Sequence, residues 1–168
     1  MSLYNDATMI FLGQAAAGGV SGKLHTVKPL EKLGEELITN NGFDRDVDWT
    51  KSADGISITG GEAVYDGSEE IVDLYQPVGS LSGKSIKVSF TIRDYEAGTI
   101  GGMFHMSNGA ATTQVTGNGK HSIIHQVGTG HNGNTGIRSY SYFKGKIDNI
   151  SIKEVEQEAD PFFFQRLS

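Results

Sequence analysis

The chain has 168 residues, 37% of them hydrophobic, with 23 Gly, no Cys and a formal net charge of −6. That length suits one domain with an arm or tail, and the missing cysteines exclude a disulfide scaffold and a thiolate metal site. The acidic balance, without any run of basic residues, excludes the counterion-displacing surface of a nucleic-acid binder.

Low apolar content with abundant Gly suits short strands joined by tight turns, because Gly supplies positive φ at no steric cost. The apolar run Met9-Ile10-Phe11-Leu12 is far too short to span a bilayer. Asn5 and Asp6 precede it in place of a basic segment, so a signal peptide and a membrane partner are not expected. Synthesis in a cytosol follows from that reading.

In chain order, residues 1–35 read as an arm, with Tyr4, Phe11 and Leu12 as its contact side chains. The other reading of the segment is a first strand pair of the same domain. Leu30–Glu36 has helical composition interrupted by Gly34, so at most one turn of helix is expected there. Glu36–Asp44 then reads as a short strand and a turn, leading to the lone Trp49 as a core anchor. From Gly55 onward strand signals recur: Gly55–Thr59, Ala63–Tyr65 ending at the Asp66-Gly67 turn, and Ile71–Val78 with Pro77 at its end. In Ser85–Arg93 the apolar Ile86, Val88, Phe90 and Ile92 alternate with polar residues, the mark of a sheet wet on one face. Thr99–Met106, His121–Val127, Ile137–Phe143 and Lys146–Val155 follow, with Asn108–Gly119 and Gly128–Gly136 as surface loops. About eight strands without a long helix predict an all-β sandwich over residues 36–155. Residues 156–168 form a tail that turns apolar at Phe162, Phe163 and Phe164, which are expected to pack on a partner subunit or back onto the domain.

Chemistry is sparse along this chain. It carries no G-x-S-x-G, H-E-x-x-H or P-loop pattern. Asp66, Glu69, Glu70 and Asp73 fall in loops and strand edges where solvation explains them. No enzyme is expected. His121 and His125 lie four apart on a strand, roughly 13 Å along one face, too far to share a metal ion unaided. Arg138, Tyr140 and Tyr142 share a parity and predict a polar-aromatic surface, since sugar C–H faces pack on rings while hydroxyls need polar partners. A Tyr-rich sheet packing on a neighbouring subunit is the other reading of that trio.

The opening Glu36-Leu37-Ile38-Thr39-Asn40-Asn41-Gly42-Phe43 with Trp49, and the closing Gly145-Lys146-Ile147-Asp148-Asn149-Ile150-Ser151-Ile152-Lys153-Glu154-Val155, resemble the two ends of jelly-roll domains of the carbohydrate-binding-module type. Versions of these domains are common in virion proteins of tailed phages. The segment Ser2–Ala7 and Gly22–Pro29 is similar to the openings that precede lectin-like domains in phage structural proteins. The resemblance implies a jelly-roll β-sandwich with an extended N-terminal arm. It also implies a structural Ca²⁺ held by Asp44 and Asp148 with backbone carbonyls, the other reading being that Asp148 bonds the adjacent turn. It further implies a non-enzymatic virion protein, made in the host cytoplasm and expected as a capsid decoration or head fibre. Its partners would be other capsid or tail proteins, and it would form a homo-oligomer, with a trimer preferred. The alternative function is a glycan-binding adhesin or tail-associated protein that attaches to polysaccharide on a host surface.

Overall fold

The structure, a computed structural model, describes residues 31–106 and 111–156, with the backbone alone at 104–106 and 111–112. Tyr4, Phe11 and Leu12 of the expected arm and Phe162, Phe163 and Phe164 of the tail lie outside the described residues. The strands are β1 (Lys32–Glu36), β2 (Thr50–Lys51), β3 (Ile56–Thr59), β4 (Glu62–Asp66), β5 (Val72–Pro77), β6 (Ser85–Met106), β7 (Ala111–Val115), β8 (Gly119–Gln126) and β9 (His131–Glu156). Every pairing among them is antiparallel.

Two strands carry the architecture. β6 has 22 residues and β9 has 26, far longer than the usual five or six, because each runs through both layers. The far half of β6 and the first half of β9 build one layer in the order β7-β6-β9-β5-β2. The first half of β6 and the second half of β9 build the other, in the order β8-β6-β9-β4-β3, with β1 on the same edge of β9 as β4. Leu74, Ile100 and Ile137 of the first layer face Ile86, Val88, Phe90, Ile92, Ile123, Ile147 and Ile152 of the second across one core. The alternation expected in Ser85–Arg93 is the inward face of that second layer. The fold is all-β, a jelly-roll β-sandwich.

The two ends of the domain meet. Leu37 N donates to Ile152 O at 2.9 Å, and the Glu36 carboxylate accepts from Ile152 N and Ser151 Oγ, each at 2.6 Å. Ile150 N donates to Asn41 O at 3.1 Å. Between them Trp49 is only 8% exposed, its ring 5.3 Å from that of Phe43, and its Nε1 donates to Asn40 O at 3.0 Å. Trp49 is therefore the core anchor that its position predicted.

Several expectations need correction. Lys32–Glu36 is a strand and not a turn of helix: it pairs with the end of β9, and tertiary pairing overrides its helical composition. Residues 32–35 thus lie in the sheet. Asn108–Gly119 is not all loop, since Ala111–Val115 pairs with β6, and Gly128–Gly136 gives way to β9 at His131. Ser85–Arg93 and Thr99–Met106 are halves of one bent strand, as are Ile137–Phe143 and Lys146–Val155.

The bend has a visible device. Ala97 pairs with Lys144 and Thr99 with Tyr140, so β9 spends two more residues than β6 across this step. The surplus is absorbed at Ser141 and Tyr142, with φ of 54° and 59°, a bulge of left-handed residues at the corner. Opposite them Gly98 has φ 74°, and a Cβ there would lie 2.4 Å from Phe143 Cα. Gly98→Ala is expected to lower stability by about 3 kcal/mol or more in denaturant unfolding, by clash and backbone strain together. Gly79→Ala, at φ 81° but with open space around its Cβ, is expected to cost about 1 kcal/mol from backbone strain alone.

Candidate functional site

The outward face of the first layer gathers the polar and aromatic side chains. Cross-strand register makes its rungs. Thr50, Tyr75, Gly136 and Met103 stand in one, Asp73, Arg138, Gly101 and Gln114 in the next, and Tyr140 and Thr99 in a third. Gly136 is compelled by the close approach of β5, because a Cβ there would fall 2.0 Å from Leu74 O. With Gly101 it removes the side chain at one position on each of the two central strands, so Arg138 and Met103 stand there beside bare backbone.

Arg138 is the fixed point of this face. Its Nε donates to Asp73 Oδ1 at 2.5 Å and its Nη2 to Asp73 Oδ2 at 2.7 Å, a two-pronged pair with planar complementarity. Asp73 is 6% exposed. Ser52 steadies the same strand residue, its Oγ accepting from Asp73 N at 2.8 Å while its own N donates to Asp73 O at 3.0 Å. The hydrogen bond to Asp73 raises the Arg138 pKa above its ordinary value, and the guanidinium stays charged at any physiological pH. The Arg138 charge also acts on the Tyr140 phenol. Burial raises the Tyr140 phenol above its ordinary value, more than the Arg138 charge lowers it, so Tyr140 remains a neutral donor. At the rim Thr99 Oγ1 donates to Gln114 Oε1 at 2.5 Å.

Of the predicted trio, Arg138 and Tyr140 come together. Tyr142 stands apart on the corner bulge, 54% exposed, its N donating to Glu70 O at 3.4 Å beside the half-exposed Ile71. Parity counting treated β9 as regular, and the left-handed pair Ser141-Tyr142 breaks that assumption. Tyr75, Thr99 and Gln114 escaped the sequence reading, and Asp73, expected as a solvated residue, is instead buried on β5 between β2 and β9 and paired with Arg138. Their membership depends on which strands neighbour β9, and local patterning carries no signal for that.

The Asp44 and Asp148 pair lies elsewhere. Asp44 is exposed in the loop before Trp49. Asp148, on the outward side of the second layer, pairs with Arg93 Nη2 at 3.0 Å. Arg93 also approaches Glu62, and Lys146 bridges Glu62 at 3.6 Å and Asp94 at 2.6 Å. The Asp94 hydrogen bond raises the Lys146 pKa, and that same contact lowers Asp94. The carbonyls nearest the opening loop already accept hydrogen bonds: Asn40 O from Phe43 N and Trp49 Nε1, and Asn41 O from Ile150 N. Among the described residues no three His, Cys, Asp or Glu side chains cluster as a metal-binding group.

No family model and no curated protein matches the sequence. Among solved structures, the N-terminal CBM22-1–CBM22-2 tandem domain of Paenibacillus barcinonensis Xyn10C aligns with a TM-score of 0.51 at 10% identity, over 79% of this chain and 48% of that one. A CBM4 structure aligns at 0.49 and 14% identity, over 70% of this chain and 99% of that one. The enzymatically active domain of bacteriophage CBA120 tailspike protein 4 aligns at 0.48 and 14% identity, over 71% of this chain and 21% of that one. The chain thus spans about a fifth of that tailspike structure and about half of the tandem-domain structure. At these identities the likeness is one of fold, and the fold is that of the carbohydrate-binding-module sandwiches.

A melting comparison reads out the role of Asp148. If the Arg93 guanidinium already supplies its counter-charge, millimolar Ca²⁺ and excess chelator are expected to give the same midpoint. A midpoint that rises with Ca²⁺ would assign the carboxylate to a metal.

Proposed function

We propose that the domain is a non-catalytic glycan-binding module and that the outward face of the β7-β6-β9-β5-β2 layer receives the sugar chain. The observation that carries this reading is the guanidinium of Arg138, held rigid by Asp73 and flanked by Tyr140 and Tyr75 over strands made shallow by Gly101 and Gly136. A preorganised charged donor beside aromatic rings is what sugar hydroxyls and sugar C–H faces need, and fixing it in advance lowers the ordering cost of binding. The Asp73 carboxylate neutralises the guanidinium, and Glu69 and Glu70 are exposed near Tyr142. A neutral polysaccharide therefore suits the site better than an acidic one.

Affinity electrophoresis of the full chain against a panel of neutral and acidic polysaccharides tests the proposal. Retention by at least one neutral polymer is expected, with Tyr140→Ala weakening it roughly three- to tenfold at unchanged circular dichroism. Retention by none, or retention that Tyr140→Ala leaves unaltered, removes the function from this face.

The second reading concerns where the module works. The similarity of Ser2–Ala7 and Gly22–Pro29 to the openings of phage structural proteins favours a virion protein, as a capsid decoration, head fibre or tail-associated adhesin, made in the host cytoplasm. In that reading residues 1–31 and the Phe162–Phe164 tail attach the module to its own copies or to capsid or tail proteins. The solution mass of the full chain beside a chain trimmed to 32–156 tests it. Assembly of the full chain and a folded monomer after trimming are expected, and two identical monomers would end the attachment reading.

A further inference from the structure

At one end of the sandwich the loop between β5 and β6 is tied to the start of β9 by hydrogen bonds gathered around one imidazole. His131 is 8% exposed, and its Nδ1 accepts two backbone hydrogen bonds, from Leu81 N at 3.2 Å and from Gly133 N at 3.1 Å. The same residue's N donates to Ser82 Oγ at 3.3 Å. Around it Val78 N donates to Gly133 O at 2.7 Å, Gly83 N to Val127 O at 2.8 Å, and Val127 N to Lys84 O at 2.8 Å. Leu81 is 3% exposed, so the loop is pinned with its apolar side chain inside.

A ring nitrogen that accepts two N–H donors carries no proton, which puts the ring proton on Nε2 and makes His131 neutral. Adding a proton to Nδ1 turns the acceptor into a donor facing two donors. Both hydrogen bonds are lost at once, and two amides in a largely buried place are left without partners. We propose that His131 is an acid-released latch: protonation of its Nδ1 releases Leu81, the buried residue of the Val78–Lys84 loop, from β9. Among the described segments around it the titratable groups are few. The loop carries Lys84, engaged by Glu154 Oε2 at 2.7 Å, and residues 127–136 carry none besides His131. On β6 the cross-strand partner of His131 is Met106, with His105 next to it in the chain. Residues 77–84, 100–106 and 127–136 contain no carboxylate. The loop continues directly into Pro77, which pairs with Asn134 at the end of the proposed glycan face, so the latch governs the order of that end of the layer.

Amide exchange of the full chain, followed by NMR and corrected for intrinsic rates, tests the latch at about pH 7.5 and about pH 4.5, on either side of the ordinary imidazole pKa of about 6.5. The Leu81 and Gly133 amides are expected to lose roughly tenfold protection in acid, while the Ile150 amide, bonded to Asn41 O at the opening loop, keeps its own. His131→Asn supplies an acceptor oxygen near the place of Nδ1 that cannot take a proton, and is expected to hold both amides at both pH values. Unchanged protection in the wild-type chain, or an equal acid loss in His131→Asn, overturns the proposal. The ring ¹⁵N shift of wild-type His131 decides independently of any variant, because a protonated Nδ1 at neutral pH also overturns it.

Discussion

Strands that pass from one sheet into another must bring their backbones together with nothing between them, and here that constraint falls on Gly98 against Phe143. No side chain fits in the 2.4 Å that a Cβ would leave to the Phe143 α-carbon. The contact holds β6 and β9 together where both leave one layer for the other, and those two strands supply the centre of each layer. The surplus residues Ser141 and Tyr142 are the other half of the same solution: β9 takes the outside of the bend and needs more chain. Phe143 then drops into the core, its ring edge-on to Tyr65 at 5.3 Å.

The face with the polar cluster depends on this corner. β9 can present Arg138 and Tyr140 outward only because Ile137 and Ser139 point in, and Asp73 can meet Arg138 only because β5 lies beside that half of β9. Two inward hydroxyls are paired in the same register: Ser139 Oγ donates to Val72 O and accepts from Val72 N, and Thr135 Oγ1 donates to Met103 O at 2.9 Å. A buried hydroxyl without such a partner would cost about 1–3 kcal/mol, so the register is held by polar pairing as well as by apolar burial. The outcome is a rigid floor of strands with one fixed charge pair, which is a binding surface and not a catalytic one in its proposed role.

Much of this fold was legible in the residues. Alternation identified the inward face of Ser85–Arg93, the Asp66-Gly67 turn ended β4, and the position of Trp49 marked it as a core anchor. The failures have one cause. Lys32–Glu36, Ala111–Val115 and the fusion of four expected strands into two depend on distant partners, and local propensity is silent about partners. The grouping of Arg138, Tyr140 and Tyr142 failed at Tyr142 for a related reason: a bulge required by the corner shifts a residue that parity had counted as regular.

By itself, then, the sequence determined the class of structure and its inside. A low apolar content, many glycines and period-two hydrophobicity leave an antiparallel sandwich as the way to bury these side chains. Only the tertiary structure decided which polar residues share a place. Asp73 and Arg138 are 65 residues apart, and Leu81 and His131 are 50 apart. Their meeting rests on the order of strands in a layer, because hydrogen bonding between strands acts across the sheet while periodicity is written only along the chain.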